Sequence, residues 1–446
     1  MRRLYLAGIA VTVFAFAAAM SVAALRPAAT AAPTAAGAAT EWPQFRGPNR
    51  DGVSAEKGLL QKWPDGGPPK VWTASGLGGS NGSVAVVNGT IFTIGSVRGK
   101  PALWALDEAT GKPKWSAPIS DKNSGGGHST PTVANGKVYA LSDKGDLACV
   151  DAAKGTVLWR KSYVDDFGGS PSGFGGYSES VLVDEGKVIC VPGSKAAAIV
   201  ALKAETGEVA WKTEMPDSRP HWVYSSAVKA QVGGVPMYIT LLFRGPGGGV
   251  TAVHAKTGKV LWQYTKVYGG PYPIPNPVVQ GDRVVVSTDG GWAVLQMMAA
   301  GRDTVTVKEL KRHDGKDLSN YWGGMVPVGD YIYFAHTRRP QEGYKPFPPV
   351  CVSWAGEIKW IASEAPGGGE NSAGCIYADG MLYFQYENGV MALVKADPNR
   401  YTLVSTFKIE KTPDKECRSH PAIANGRLYI RDRDKLHCFN IKAEGK

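Results

Sequence analysis

The chain has 446 residues, among them 56 glycines, 30 prolines and 13 tryptophans, and only 20% of its residues are charged. Such a turn-rich, aromatic-rich composition belongs to a globular protein and excludes a disordered or collagen-like chain. The formal charge of +11 arises from 50 basic and 39 acidic residues. The basic residues are scattered and no nucleic-acid-binding motif occurs, so no nucleic acid partner is expected, and the charge reads as basic loops compatible with anionic surfaces.

In chain order, Arg2-Arg3 precede an almost wholly apolar run from Leu4 to Leu25, and the stretch after Arg26 to Thr40 consists of Ala, Pro, Thr and one Gly. Residues 1–26 are expected to be a signal peptide for export, and residues 27–40 a flexible linker. The apolar run is also about long enough to cross a bilayer, so an uncleaved N-terminal anchor is the alternative. On either reading the protein is periplasmic or secreted, and it contacts the membrane only through this segment if it stays uncleaved. Removing Arg2, Arg3 and Arg26 with a leader leaves a formal charge of +8.

No cysteine precedes Cys149, so a lipid-modified N-terminal cysteine is not expected. Cys149, Cys190, Cys351, Cys375, Cys417 and Cys438 are even in number, which permits disulfides without demanding one. CxxC, CxxCH and adjacent Cys-Cys are absent, which leaves metal clusters and covalent haem without support.

One pattern then repeats along the chain. Glycine turns between two short β-type runs recur as VVNGTIF, VANGKVY, VDEGKVI, QVGGVPMY, VVQGDRV, VPVGDYIY, YADGMLY and IANGRLY. Their glycines, Gly89, Gly136, Gly186, Gly234, Gly281, Gly329, Gly380 and Gly426, are separated by 47, 50, 48, 47, 48, 51 and 46 residues. Asn-Gly and Asp-Gly suit tight hairpins because both central residues tolerate positive φ.

A third strand follows each hairpin, and then a second turn leads to tryptophan, as in LWALDEATGKPKW, LACVDAAKGTVLW, IVALKAETGEVAW and VTAVHAKTGKVLW. These end at Trp115, Trp159, Trp211 and Trp262, with a weaker copy ending at Trp360. The glycine four residues earlier (Gly111, Gly155, Gly207, Gly258, Gly356) suits a turn with positive φ. Two units diverge, having TVTVKEL and RYTLVSTF where tryptophan is expected. Each unit is a four-stranded sheet that cannot bury both faces alone, so the units must stack around an axis as blades.

The final unit, IANGRLY followed by KLHCFNIKAEGK, lacks its outer strand, and a matching strand, PDGGPPKVW, occurs near the other end. The spacing from Trp72 to Trp115 is 43 residues and from Trp115 to Trp159 is 44. The expected fold is therefore all-β, an eight-bladed β-propeller of four-stranded antiparallel blades over residues 41–446. Residues 70–75 are expected to complete the last blade beside residues 427–441, which removes an exposed sheet edge.

The units LACVDAAKGTVLW, IVALKAETGEVAW and VTAVHAKTGKVLW resemble the ALDAxTGxxxW repeats of the pyrroloquinoline-quinone (PQQ) repeat, or quinoprotein-like, propellers. WPQFRGPNRDG (42–52) is similar to the opening segment of many exported bacterial members. The resemblance covers about residues 41–446 and implies the fold more than the function. One branch of the family holds dehydrogenases that oxidise alcohols or sugars with PQQ and calcium. Another holds non-catalytic scaffolds, including the propeller lipoprotein of the outer-membrane β-barrel assembly machinery. The absent Cys-Cys pair, the near-minimal length and the lack of a matched calcium ligand set weigh against the dehydrogenase branch. The missing lipid-anchor cysteine likewise weighs against a simple counterpart of the assembly lipoprotein.

In propellers the segment leading into each innermost strand approaches the axis and forms a concave face where a ligand binds. Here those segments are SNGS, GHSTP, YSES, WVYSS, PIPN, NYWGG, GENSAG and RSHP. They supply the candidate ligand-binding residues Asn81, His128, Ser129, Tyr177, Glu179, Trp222, Tyr224, Asn276, Tyr321, Trp322, Glu370, Asn371, Arg418 and His420. Such a mixture suits a polar planar ligand held by stacking and hydrogen bonds, although polar loops at a wet channel mouth need no ligand to explain them. Glu179, Glu370 and Asn371 offer hard oxygens, too few for a convincing calcium site. PYPIPNP (271–277) and YKPFPPV (344–350) read as stiff rim loops.

The expected function is a non-catalytic binding or scaffolding propeller whose partner is another envelope protein or a small ligand at the propeller face. No cofactor and no metal are expected, and no catalytic residue is assigned. The alternatives are a PQQ- and calcium-dependent dehydrogenase, and a binder of small ligands or glycans that uses the central funnel.

Overall fold

A computed structural model describes residues 40–170, 175–216, 224–242, 249–268, 274–336, 347–363, 365–366 and 372–444. The expected signal segment and the linker up to residue 39, together with Trp222, Glu370 and Asn371, lie outside the described residues.

The first complete unit shows how sequence becomes blade. Strands β2 (Val84–Val87), β3 (Thr90–Val97), β4 (Lys100–Asp107) and β5 (Pro113–Pro118) follow β1 (Lys70–Ala74) and pair consecutively as an antiparallel meander. The turn between β2 and β3 is Asn88-Gly89 with φ of 48° and 67°, the positive pair that lets a two-residue loop match the strand twist. Buried residues fill β3 and β4, whereas β5 alternates and lies half exposed at the rim. The sheet thus runs from the axis outward.

Eight such four-stranded sheets are present. Their innermost strands begin at Val84, Thr132, Leu182, Val228, Val278, Val326, Ala373 and Ala422. Apolar cores form between neighbours. Met237, Ile239 and Ala252 of the fourth blade, for example, meet Val284, Val286 and Leu295 of the fifth. The two divergent units also form outer strands, Thr304–Asp314 and Leu403–Lys408.

The ring closes as the repeat arithmetic requires. The eighth sheet takes its inner three strands from Ala422–Ala424, Arg427–Asp432 and Lys435–Asn440, and β1 is its fourth. Trp72 pairs with Cys438 beside a register shift, just as Trp115 pairs with Ala105, Trp159 with Cys149 and Trp211 with Ala201. Each of these indoles rests on the turn glycine of the next blade: Trp72 on Gly111, Trp115 on Gly155, Trp159 on Gly207 and Trp211 on Gly258. The indole N–H of Trp72, Trp159 and Trp211 also donates to a carbonyl of that neighbour, Glu108, Ala204 and Ala255 respectively, at 3.0–3.2 Å. The turn glycine therefore serves twice, through its positive φ and through the flat seat it leaves for a ring.

Where the seventh blade lacks its tryptophan, another residue fills the gap. Trp63 is fully buried and packs edge-on against Phe407 at 5.9 Å from Tyr383 and 4.9 Å from Phe407. Its backbone N–H donates to Ser405 Oγ on that outer strand. All six cysteines are buried free thiols.

Candidate functional site

Residues 42–54, the WPQFRGPNRDG segment and its continuation, run as a strap across the inner ends of the blades. Trp42 exchanges two 2.9 Å backbone bonds with Val86, Pro43 accepts from Val133, and Gly52 and Ser54 bond to Tyr377. Two arginines grip the far walls. Arg46 donates to the carbonyl of Met325, and Arg50 donates to those of Ser180 and Val181 at 2.5 and 3.2 Å. Both hold left-handed backbone with φ of 60°, a strain of about 1–2 kcal/mol each that the buried side-chain bonds offset. The first, second, third, sixth and seventh blades are thus tied across one end of the channel.

Above the strap lies a cavity of about 460 Å³ on the propeller axis. Along its wall an arc of hydrogen bonds passes from blade to blade. Ser83 N–H donates to Thr130 Oγ1, Thr130 N–H to Ser180 Oγ, Ser180 N–H to Ser226 Oγ, and Ser226 N–H to Asn276 Oδ1, each at 2.9–3.0 Å. Ser83 Oγ donates to the His420 carbonyl at 2.6 Å, which links the first blade to the eighth. These side chains answer backbone groups that would otherwise be buried and unpaired.

Of the residues predicted from sequence, Asn81, His128, Tyr224, Asn276, Tyr321, Trp322, Arg418 and His420 line this one cavity. The Asn81 amide donates to His128 Nδ1 at 2.9 Å, and burial holds the His128 imidazole below its ordinary range. His420 sits edge-on between Phe45 at 5.1 Å and Trp322 at 5.7 Å. Burial, followed by the nearby Arg46 charge, lowers its pKa to about 3, so it is neutral at physiological pH. The Trp322 indole donates to Glu387 Oε1 at 2.8 Å, and Arg418 Nε lies 3.3 Å from the same oxygen. Burial nevertheless raises the Glu387 pKa, against the pull of Arg418.

Ser129, Tyr177 and Glu179 lie behind the wall. Extended chain alternates its side chains, so 128 and 130 line the cavity while 129 turns away, and 178 and 180 line it while 177 and 179 do not. The Tyr177 hydroxyl donates to the Pro192 carbonyl, and Glu179 accepts from Tyr163 Oη at 2.5 Å and from the Val191 N–H at 2.7 Å. Burial raises the Glu179 pKa to about 7.

Phe45, Arg46, Ser83, Thr130, Ser178, Ser180, Ser226 and Arg433 also line the wall without having been singled out. The period-two alternation within the lead-in segments was the signal for the hydroxyls. Arg46 and Phe45 carried none, because nothing local tells a strap to cross the axis.

Calcium takes six to eight hard oxygens, carboxylates prominent among them. The described wall offers amides and hydroxyls but no Asp or Glu. Among the described residues no group of three His, Cys, Asp or Glu is placed to hold a metal ion. The described residues do not fit a calcium site. They present three guanidinium groups instead.

Comparison with known proteins agrees with the architecture. A family model described as outer membrane protein assembly factor BamB matches residues 63–162 and 103–343. The BamB of Burkholderia pseudomallei is 25% identical over 301 residues, covering 65% of this chain and 71% of that protein. The quinohemoprotein alcohol dehydrogenase ADH IIB of Pseudomonas putida is 28% identical over 337 residues, covering 73% of this chain but only 42% of the enzyme. Among solved structures, BamB from Moraxella catarrhalis superposes with a TM-score of 0.57 at 13% identity, covering 84% of this chain and 99% of that one. With the BamB model spanning well over half its length on an eight-bladed ring, the chain belongs to the PQQ-repeat propeller family.

Proposed function

We propose that this protein is a non-catalytic binding propeller of the cell envelope, which presents its lead-in face to a partner protein and its axial cavity to a ligand. The observation that carries this reading is the chemistry of the wall. Its described residues include no carboxylate and no thiol, and the hydroxyls of Thr130, Ser180 and Ser226 are committed as acceptors from the neighbouring blade. Recognition groups abound there, whereas no three-residue metal-ligand set occurs among the described residues. The assembly-factor relatives support a role beside another envelope protein, and the apolar N-terminal run supports export.

The alternative is a PQQ- and calcium-dependent dehydrogenase, represented among the relatives by an enzyme more than twice the matched length. Two measurements on the intact protein separate these readings. Capture with cross-linking from an envelope extract is expected to recover a stoichiometric partner. Dye-linked oxidation of alcohols and sugars after addition of PQQ and calcium is expected to show no turnover, and sustained turnover would overturn the proposal.

A further inference from the structure

Five asparagines precede a glycine: Asn81, Asn88, Asn135, Asn388 and Asn425. Glycine has no Cβ to shield its nitrogen, so that nitrogen can attack the asparagine Cγ. A C–N bond closes a succinimide ring, the glycine N–H proton passes to water, and the side-chain nitrogen leaves as ammonia. Water then opens the ring at either carbonyl, which gives aspartate or isoaspartate. The reaction needs an accessible side chain, water and a glycine N–H that is free to lose its proton.

The fold divides the five pairs. Gly82 N–H donates to Ser80 Oγ at 3.0 Å, and the Asn81 amide is held by His128. Gly389 N–H donates to the Tyr386 carbonyl at 2.9 Å, and Asn388 Oδ1 accepts from Val390 N–H. Gly426 N–H donates to Glu56 Oε2 at 2.7 Å, the Asn425 amide donates to Glu108 Oε1, and Asn425 Oδ1 accepts from Thr40 N–H. All three glycines are buried. Each must give up a hydrogen bond before its nitrogen attacks.

Asn88-Gly89 and Asn135-Gly136 differ on every count. All four residues are exposed, and nothing lies within 4 Å of a Cβ added at either glycine. Each pair is the loop of a hairpin whose ladder ends at Val87–Thr90 or Ala134–Lys137, so the glycine N–H stands outside the ladder and no ladder bond has to break. We infer that Asn88 and Asn135 are sites of spontaneous deamidation, from which Asn81, Asn388 and Asn425 are protected by the fold. The aspartyl product fits the turn, because Asp379-Gly380 already occupies the same turn in the seventh blade with φ of 48° and 83°. The isoaspartyl product lengthens the main chain and no longer matches a two-residue loop. At Asn88 it would sit beside Val86, whose two backbone bonds hold Trp42 at the start of the strap. The inference is independent of the binding role proposed above.

The test is incubation of the intact protein at mildly alkaline pH, folded and in urea, with peptide mass spectrometry that assigns each conversion by fragmentation. In urea all five sites should convert at similar rates. In the folded protein Asn88 and Asn135 should keep converting, while Asn425, whose glycine N–H is held by a carboxylate, should slow about tenfold or more. Glu56→Ala frees the Gly426 N–H and should speed conversion at Asn425 without changing Asn88. If that variant fails to fold, the comparison of folded and unfolded parent still decides. No conversion at Asn88 and Asn135 in the folded protein, or equal folded-state rates at all five sites, would overturn the inference.

Discussion

Replacing Gly207 by alanine tests the contact that builds the ring. Gly207 has φ of +74°, and an added Cβ would sit 2.9 Å from Cδ2 of Trp159, the indole of the preceding blade. Gly186 is its control, with φ of +71° and nothing within 4 Å of an added Cβ. A left-handed alanine costs about 1–2 kcal/mol, and this is the whole cost expected for Gly186→Ala. Gly207→Ala adds the displacement of a seated ring, about 1–3 kcal/mol more, for a total of about 2–5 kcal/mol. Urea midpoints followed by far-ultraviolet circular dichroism are the assay, since a tryptophan signal would be confounded by variants at Trp159. In a double-mutant cycle, Trp159→Ala should erase most of the excess at Gly207, because the steric term needs both partners. Equal losses at Gly186 and Gly207, or additive losses in the cycle, would refute the seating role.

Two further outcomes are expected. The carboxyl of Glu179 has a folded-state pKa raised by burial from 4.5 to about 7, so its contribution to stability is fully present below pH 4.5 and is lost as pH rises to 7. The difference is about 3 kcal/mol. Glu179→Gln should therefore flatten the stability profile between those pH values, and an unchanged slope would show that the group does not titrate there. All six cysteines are buried thiols, and burial raises those of Cys149 and Cys351 to about 11. A disulfide-exchange reagent should thus find no reactive thiol in the native protein and six after denaturation without reductant, and any smaller count would reveal a disulfide.

Much of the fold was legible because it is written locally and repeatedly. A positive-φ Asn-Gly or Asp-Gly pair fixes a hairpin from within four residues, and a spacing of about 48 counts the blades. Trp72 was legible as the closing element for the same reason, being one more copy of an indole that seats on a glycine. Trp63 was not, because its neighbours Phe407 and Tyr383 are more than 300 residues away and its surroundings match no repeat.

The candidate site divides along the same line. Sequence alone determined that eight polar lead-in segments converge on an axis, and it named His128, Trp322, Arg418 and His420 among the residues that line it. Only the tertiary structure decided which side of each extended segment faces the cavity, sending Ser178 and Ser180 inward and Glu179 behind the wall. It alone placed Arg46 there as well, by laying a strap across the channel and leaving Gly324 bare to receive the guanidinium. Turns and repeats are short-range and can be read in one dimension, whereas the facing of a side chain and the path of a strap are set by long-range packing, which becomes definite only when the ring is closed.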